Sequence, residues 1–89
     1  MIRQKVHFLG FVQGVGFRFT IARHAATLKI TGWVRNEYDG TVRAELQGEE
    51  KNIERLLDKM KNERFIRISR MDVETIPIVE GEKGFKTDY

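Results

Sequence analysis

The chain predicts an α+β sandwich in the order β-α-β-β-α-β with a short terminal strand, and three observations carry that expectation. Apolar residues alternate along several short runs, apolar residues at helical spacing recur twice between those runs, and an Asp-Gly pair separates two alternating runs where a hairpin belongs. With 89 residues the chain is expected to form one domain over residues 1–89. It has no Cys, so neither a disulfide nor a Cys-based zinc site can supplement the core. Apolar packing must suffice, and a 40% hydrophobic content with six Phe, two Tyr and one Trp is enough for an ordinary globular fold.

The elements follow in order. Residues 3–11 alternate, with Val6 and Phe8 on one face, and read as a strand. Beyond a glycine-rich stretch, residues 19–28 set Ile21, Ala25 and Leu28 on one helical face. Residues 29–38 alternate again through Ile30, Gly32 and Val34, Asp39-Gly40 makes the turn, and Val42, Ala44 and Leu46 continue on the returning strand over 41–47. Ile53, Leu56, Leu57 and Met60 mark a second amphipathic helix, with Glu49 and Glu50 opening it and Lys59 and Lys61 closing it in the sense the helix dipole favours. Residues 69–76 give a strand around Met71 and Val73, and residues 84–89 a short terminal one. Over 62–68 the apolar phase shifts and no strand start is legible.

This order is the ferredoxin-like, split βαβ arrangement: an antiparallel sheet with two helices on one face. Its geometry matters for function. The right-handed β-α-β unit makes the first two strands parallel, so their C-terminal ends share one edge of the sheet. With the third strand between them, those ends lie about 10 Å apart. The glycine-rich stretch and Arg35-Asn36-Glu37 are therefore expected to flank one shallow gap.

The glycine-rich stretch reads GFVQGVGFR over residues 10–18. Gly14 and Gly16 permit the backbone angles of a nest of converging N–H groups, and the helix that follows adds positive potential. Arg18 supplies a guanidinium fork for two oxygens of a phosphate. Glycines alone favour a plain turn, with Arg18 solvated; the helix-opening arginine is what raises the anion reading to comparable weight. A nucleotide P-loop would follow its last glycine with Lys-Ser/Thr, but Phe17-Arg18 follows Gly16. A dinucleotide fingerprint would put a further glycine at Phe19, and a thiolate-dependent phosphatase would put Cys at Val12. The loop thus offers no covalent nucleophile, and water is the expected acceptor of any phosphoryl group. Attack by water without a metal or strong base becomes feasible when the leaving group needs no proton, as with a carboxylate. Asn36 fits the orienting role, since one amide both donates and accepts; taken alone it also reads as an ordinary strand-end residue.

These segments resemble the acylphosphatase family. G-F-V-Q-G-V-G-F-R at 10–18 is similar to its substrate-loop signature, and G-W-V-R-N-x-x-D-G-x-V at 32–42 to its second one, in the right order and at the right separation. The resemblance extends through the second helix to Gly84-Phe85. It implies hydrolysis of a carboxyl-phosphate anhydride to a carboxylate and inorganic phosphate, with no cofactor and no metal. By position it assigns phosphate holding to Arg18, water orientation to Asn36, and the cradle to the main-chain amides of Val12, Gln13, Gly14, Val15 and Gly16. There are departures. Phe11 stands where many relatives carry a basic side chain, Asn62-Glu63-Arg64-Phe65 replaces a common Gly-Pro segment, and Leu28-Lys29-Ile30 lacks the usual glycine between helix and strand.

A net charge of +3 on 33% charged residues of both signs indicates a soluble surface with a mild preference for anions. It falls well short of a nucleic-acid-binding arm. No apolar h-region opens the chain and no run approaches the ~18 apolar residues of a membrane span. The expectation is a cytoplasmic monomer without nucleic-acid or membrane partners, acting on a small acyl phosphate. Two rivals share the element order. A single-strand RNA binder needs aromatics on its third strand, which here reads TVRAELQ; a regulatory ligand domain would bind with the same cradle but not react. His7, His24 and Trp33 are assigned to surface or packing roles and Arg64, Arg67 and Arg70 to a solvated sheet edge, while for Arg23 and Arg35 steering of anions towards the gap is weighed against the commoner role of plain surface charge.

Overall fold

The computed structural model describes residues 1–88; Tyr89, the last residue of the expected terminal strand, lies outside them. The elements are β1 (Ile2–Phe11), α1 (Phe17–Thr27), β2 (Thr31–Asn36), β3 (Val42–Gly48), α2 (Glu50–Lys61), β4 (Arg67–Ile76) and β5 (Phe85–Asp88). The described strands form one sheet in the order β4-β1-β3-β2-β5. The four strands of the β-α-β-β-α-β core run antiparallel to their neighbours, as expected. β5 instead lies parallel to β2, so the sheet as a whole is mixed rather than antiparallel. The reason is topological. β4 ends beside the start of β1, and the crossing reaches the opposite edge at that same end of the sheet, so β5 starts beside the start of β2 and runs parallel to it.

Alternation decides which face is covered. Val6 and Phe8 of β1, Val34 of β2, and Val42, Ala44 and Leu46 of β3 are all fully buried, and they pack with Ile21 and Ala25 of α1 and Ile53, Leu56 and Met60 of α2. Burying such side chains contributes roughly 1.5–3 kcal/mol each, which makes this single layer the main source of stability. Phe8 meets Phe17 edge-on, with ring centroids 4.9 Å apart, and this pins the first turn of α1 to the end of β1. His24 of α1 lies 2.7 Å from the Glu63 carboxylate and ties the helix to the loop after α2. That loop runs to Ile66, so β4 begins at Arg67, which places the strand start the apolar pattern concealed.

The opposite face carries the β4–β5 crossing over residues 77–84. Arg3, Gln47 and Thr31 form one row across β1, β3 and β2, and each binds the crossing segment. Arg3 donates to both carboxylate oxygens of Glu82, at 2.8 and 3.2 Å, and to Glu45 and Gln47. Thr31 donates to Glu82 at 2.8 Å, and Gln47 exchanges hydrogen bonds with the main-chain N–H and C=O of Val79. Arg3 is only 2% exposed, yet it is paired on all sides. Burial works against ionisation of Glu82, but hydrogen bonds from Arg3 and Thr31 outweigh it and hold the carboxyl below its ordinary range.

Lys29 adopts φ 56° directly after α1, at the position where a glycine is usual. Its Cβ makes this left-handed conformation costly. Lys29→Gly is therefore expected to stabilise the fold by about 0.5–1 kcal/mol in chemical denaturation, after the greater chain entropy of glycine is allowed for.

Candidate active site

The end of β1 and the end of β2 lie on the same edge of the sheet, with β3 between them. Phe8, Val42 and Asn36 occupy one row across the three strands. Two strand spacings, about 10 Å, therefore separate Asn36 from Phe8 of β1, just before the glycine-rich stretch. Asn36 sits two residues beyond the buried Val34, so it projects on the helix side of the sheet. A groove of about 560 Å³ opens there. Val12, Gln13, Gly14 and Gly16 line it from the loop, Arg18 and Phe19 from the first turn of α1 together with Phe17 and Ala22, Asn36 from β2, and Phe85 and Thr87 from β5. Of the residues expected in the site, Arg18, Asn36, Val12, Gln13, Gly14 and Gly16 are thus brought to one cavity. Val15 does not line it; its side chain packs against the core.

The glycines of the loop take the left-handed conformation that an anion nest requires. Gly14 and Gly16 take φ 73° and 77°, with Val15 between them at negative φ, and a hydrocarbon side chain would be strained at either glycine. Gly16 is also the N-cap of α1, and among the described residues no side chain caps the helix and no acidic residue sits in its first turn. α2, by contrast, carries Glu50 in its first turn. The first helical hydrogen bond of α1 runs from Thr20 N–H to Gly16 O, so the N–H groups of Phe17, Arg18 and Phe19 precede the helical ladder and leave positive potential at this end.

Two contacts hold the loop against the β2–β3 hairpin. The Gln13 side-chain amide donates to Glu37 O at 2.7 Å and Thr41 O at 2.9 Å, bridging the carbonyls on either side of the turn. The turn itself is closed by Asp39, whose carboxylate accepts from Thr41 Oγ1 and Thr41 N–H; these bonds hold the Asp39 carboxyl below its ordinary range. Gln13 therefore fixes the loop relative to Asn36, a role its position within the motif did not reveal. Arg18 is half-buried and donates to the main-chain carbonyl of Asp88 at 3.3 Å, so β5 contributes both a wall of the groove and an orienting contact for the guanidinium.

Among the described residues, Arg18 is the only charged side chain lining the groove; no carboxylate, imidazole or thiol does. No group of three or more His, Cys, Asp or Glu among those residues is placed to share a metal ion. Arg35 does not line the groove. Its guanidinium lies 5.0 Å from the Trp33 ring and 3.2 Å from the Glu37 carboxylate, on the face turned away from the groove. His7 bonds Thr41 Oγ1 on that same face, and Phe11, although 64% exposed, does not line the groove. Phe19, Ala22, Phe85 and Thr87 were not anticipated in the site. The two β5 residues depend on a pairing that no local pattern announces.

Comparison with known proteins gives the same answer as the geometry. The acylphosphatase family model matches residues 4–87. An acylphosphatase of Clostridium acetobutylicum is 44% identical over 90 aligned positions, covering 100% of this chain and 99% of that protein. The crystal structure of acylphosphatase from Bacillus subtilis superposes with a TM-score of 0.92 at 31% identity, over 100% of both chains. Full-length HypF matches with a TM-score of 0.86 at 31% identity, but only over 11% of its own length. No helix among the described residues is long and apolar enough to cross a membrane. The two sequence signatures, the fold and these matches agree: the chain belongs to the acylphosphatase family, enzymes that hydrolyse acyl phosphates.

Proposed function

We propose that the groove binds the phosphate end of an acyl phosphate and directs water onto phosphorus. The observation that supports this most strongly is the meeting of Arg18, Asn36 and the left-handed Gly14 and Gly16 around one cavity to which no other charged side chain among the described residues contributes. Main-chain N–H groups of residues 12–16 and the Arg18 fork hold the phosphoryl oxygens. This offsets the negative charge that would otherwise repel a nucleophile. Asn36 accepts a hydrogen bond from water and aims its lone pair at phosphorus. Being neutral, the amide adds no repulsion towards the phosphate, which a carboxylate in its place would. As the water oxygen bonds to phosphorus, the P–O bond to the acyl group breaks and its electron pair leaves with the carboxylate. The proton lost by water stays with inorganic phosphate. A carboxylate is stable unprotonated at neutral pH, so no general acid is required, consistent with a groove that lacks one.

The same reading treats residues 1–89 as one acylphosphatase-like domain, supported by the family match over 4–87 and a single core. It casts the protein as a cytoplasmic monomer that needs no metal or cofactor. β3 carries no aromatic residue, which argues against an RNA-stacking role. Purified protein should release phosphate from benzoyl phosphate in the presence of EDTA. Arg18→Gln should lower turnover by about 10²–10³-fold and weaken competitive inhibition by phosphate at least about tenfold, measured by steady-state kinetics on protein whose circular dichroism matches wild type. Full activity with unaltered phosphate inhibition would remove Arg18 from the mechanism.

A further inference from the structure

The loop proposed to cradle the phosphate supplies only part of the groove lining: Val12, Gln13, Gly14 and Gly16. A water molecule takes up about 30 Å³ of liquid volume, so a cavity of about 560 Å³ leaves ample room beyond a bound phosphoryl group. What surrounds that remaining space is apolar. Phe19 and Ala22 stand one helical turn apart on the same side of α1, and Phe85 faces them from β5. Phe19 is 71% exposed and belongs to no part of the core, so packing gives no reason for a phenyl ring at this position. Thr87 contributes a neutral hydroxyl, while Lys86 between them points to the other face by strand alternation. Among the described residues, Arg18 is the one cation of the lining.

We infer that Phe19 determines acyl specificity: with Ala22 and Phe85 it forms a shelf that takes an aromatic or extended aliphatic acyl group. This rests on the reading that the adjacent loop binds the phosphate. An apolar acyl group laid against Phe19 removes exposed hydrocarbon of both partners from water, and an aromatic one gains ring-on-ring contact as well. An acetyl group is too short to cover the ring. An acyl group carrying a second phosphate or a carboxylate meets no side-chain cation on the shelf and must shed water for nothing in return. The substrate class is therefore acyl phosphates with uncharged, hydrophobic acyl groups.

The test compares kcat/KM for benzoyl phosphate and acetyl phosphate in wild type, Phe19→Ala and Phe19→Leu. Taking the ratio of the two substrates within each protein, and then comparing proteins, cancels the difference in their intrinsic reactivity. Phe19→Ala should lower the benzoyl-to-acetyl ratio about five- to tenfold, chiefly through KM for benzoyl phosphate, and Phe19→Leu should recover part of it. A general structural defect would slow both substrates alike and leave the ratio unmoved. If wild type hydrolyses both substrates and the ratio in Phe19→Ala stays within about twofold of wild type, the shelf is wrong while the phosphate site stands. Folded wild type that hydrolyses neither substrate overturns the phosphate-site reading, and the shelf with it.

Discussion

Asn36→Ala is expected to lower kcat for benzoyl phosphate by about 10³-fold while leaving phosphate inhibition within about threefold of wild type. The asymmetry follows from the division of labour proposed for the groove. Phosphate is held by main-chain N–H groups and Arg18, none of which the substitution touches, whereas the nucleophile has Asn36 alone to orient it. Water confined near phosphorus but free to rotate forfeits most of the advantage of a positioned attack. Asn36→Asp sharpens the test. It keeps the shape of the side chain but removes the amide donor and sets a negative charge near the phosphate, so it should fail as badly as alanine. Stability should change little in either case, because Asn36 lies at the end of β2 beyond the buried Val34. An alanine enzyme at full rate would show that water is positioned by something else. A variant that loses phosphate inhibition in parallel with turnover would mean that Asn36 holds phosphate instead.

The second large effect is on stability. Arg3→Met should destabilise the protein by about 3–5 kcal/mol and lower its melting temperature by at least about 10 °C in calorimetry. The guanidinium is buried at the point where the 77–84 crossing meets the sheet, and removing it strands Glu82 and Glu45 in a poorly hydrated place. A double variant, Arg3→Met with Glu82→Gln, should recover part of that loss, since no unpaired carboxylate then remains at position 82. Acid provides an independent check. Because the folded-state pKa of Glu82 is depressed, its contribution is fully present above the ordinary glutamate value of about 4.3 and is lost as the pH falls through the lower folded value. Wild type should thus lose stability on acidification through that window, and Glu82→Gln should lose less. Arg3, whose own pKa is raised as its hydrogen bonds to Glu82 and Glu45 outweigh burial, stays charged throughout. If Arg3→Met unfolds within about 0.5 kcal/mol of wild type, the crossing is held by other contacts.

The consequence for catalysis is indirect. The anchored crossing delivers β5 to the edge of β2, where Phe85 and Thr87 close one side of the groove and the Asp88 carbonyl accepts a hydrogen bond from Arg18. The side-chain hydrogen bonds from Arg3, Thr31 and Gln47 that anchor the crossing are made on the far face of the sheet from the groove.

Much of the site was legible because its key residues travel in two short segments. Gly14, Gly16 and Arg18 are nearly adjacent, and their required conformations are local: a left-handed turn and the opening of a helix. Asn36 was readable from strand alternation and from the rule that parallel strands of a βαβ unit end on the same edge. The same alternation turns Arg35 to the opposite face, beside Trp33 and Glu37.

What the sequence determined by itself was the order of elements, the covered face of the sheet and most of the residues that meet in the groove. Each of these is set by spacings of a few residues, where periodicity and turn chemistry act. The tertiary structure alone decided the parallel pairing of β5, the burial of Arg3 against Glu82, the Gln13 bridge to the hairpin and the apolar shelf of Phe19 with Phe85. Those features join residues far apart in the chain: Arg3 and Glu82 are separated by 79 positions. An arginine near an N-terminus and a phenylalanine near a C-terminus leave no local pattern that distinguishes a partner from open solvent, and only the path of the folded chain makes the choice.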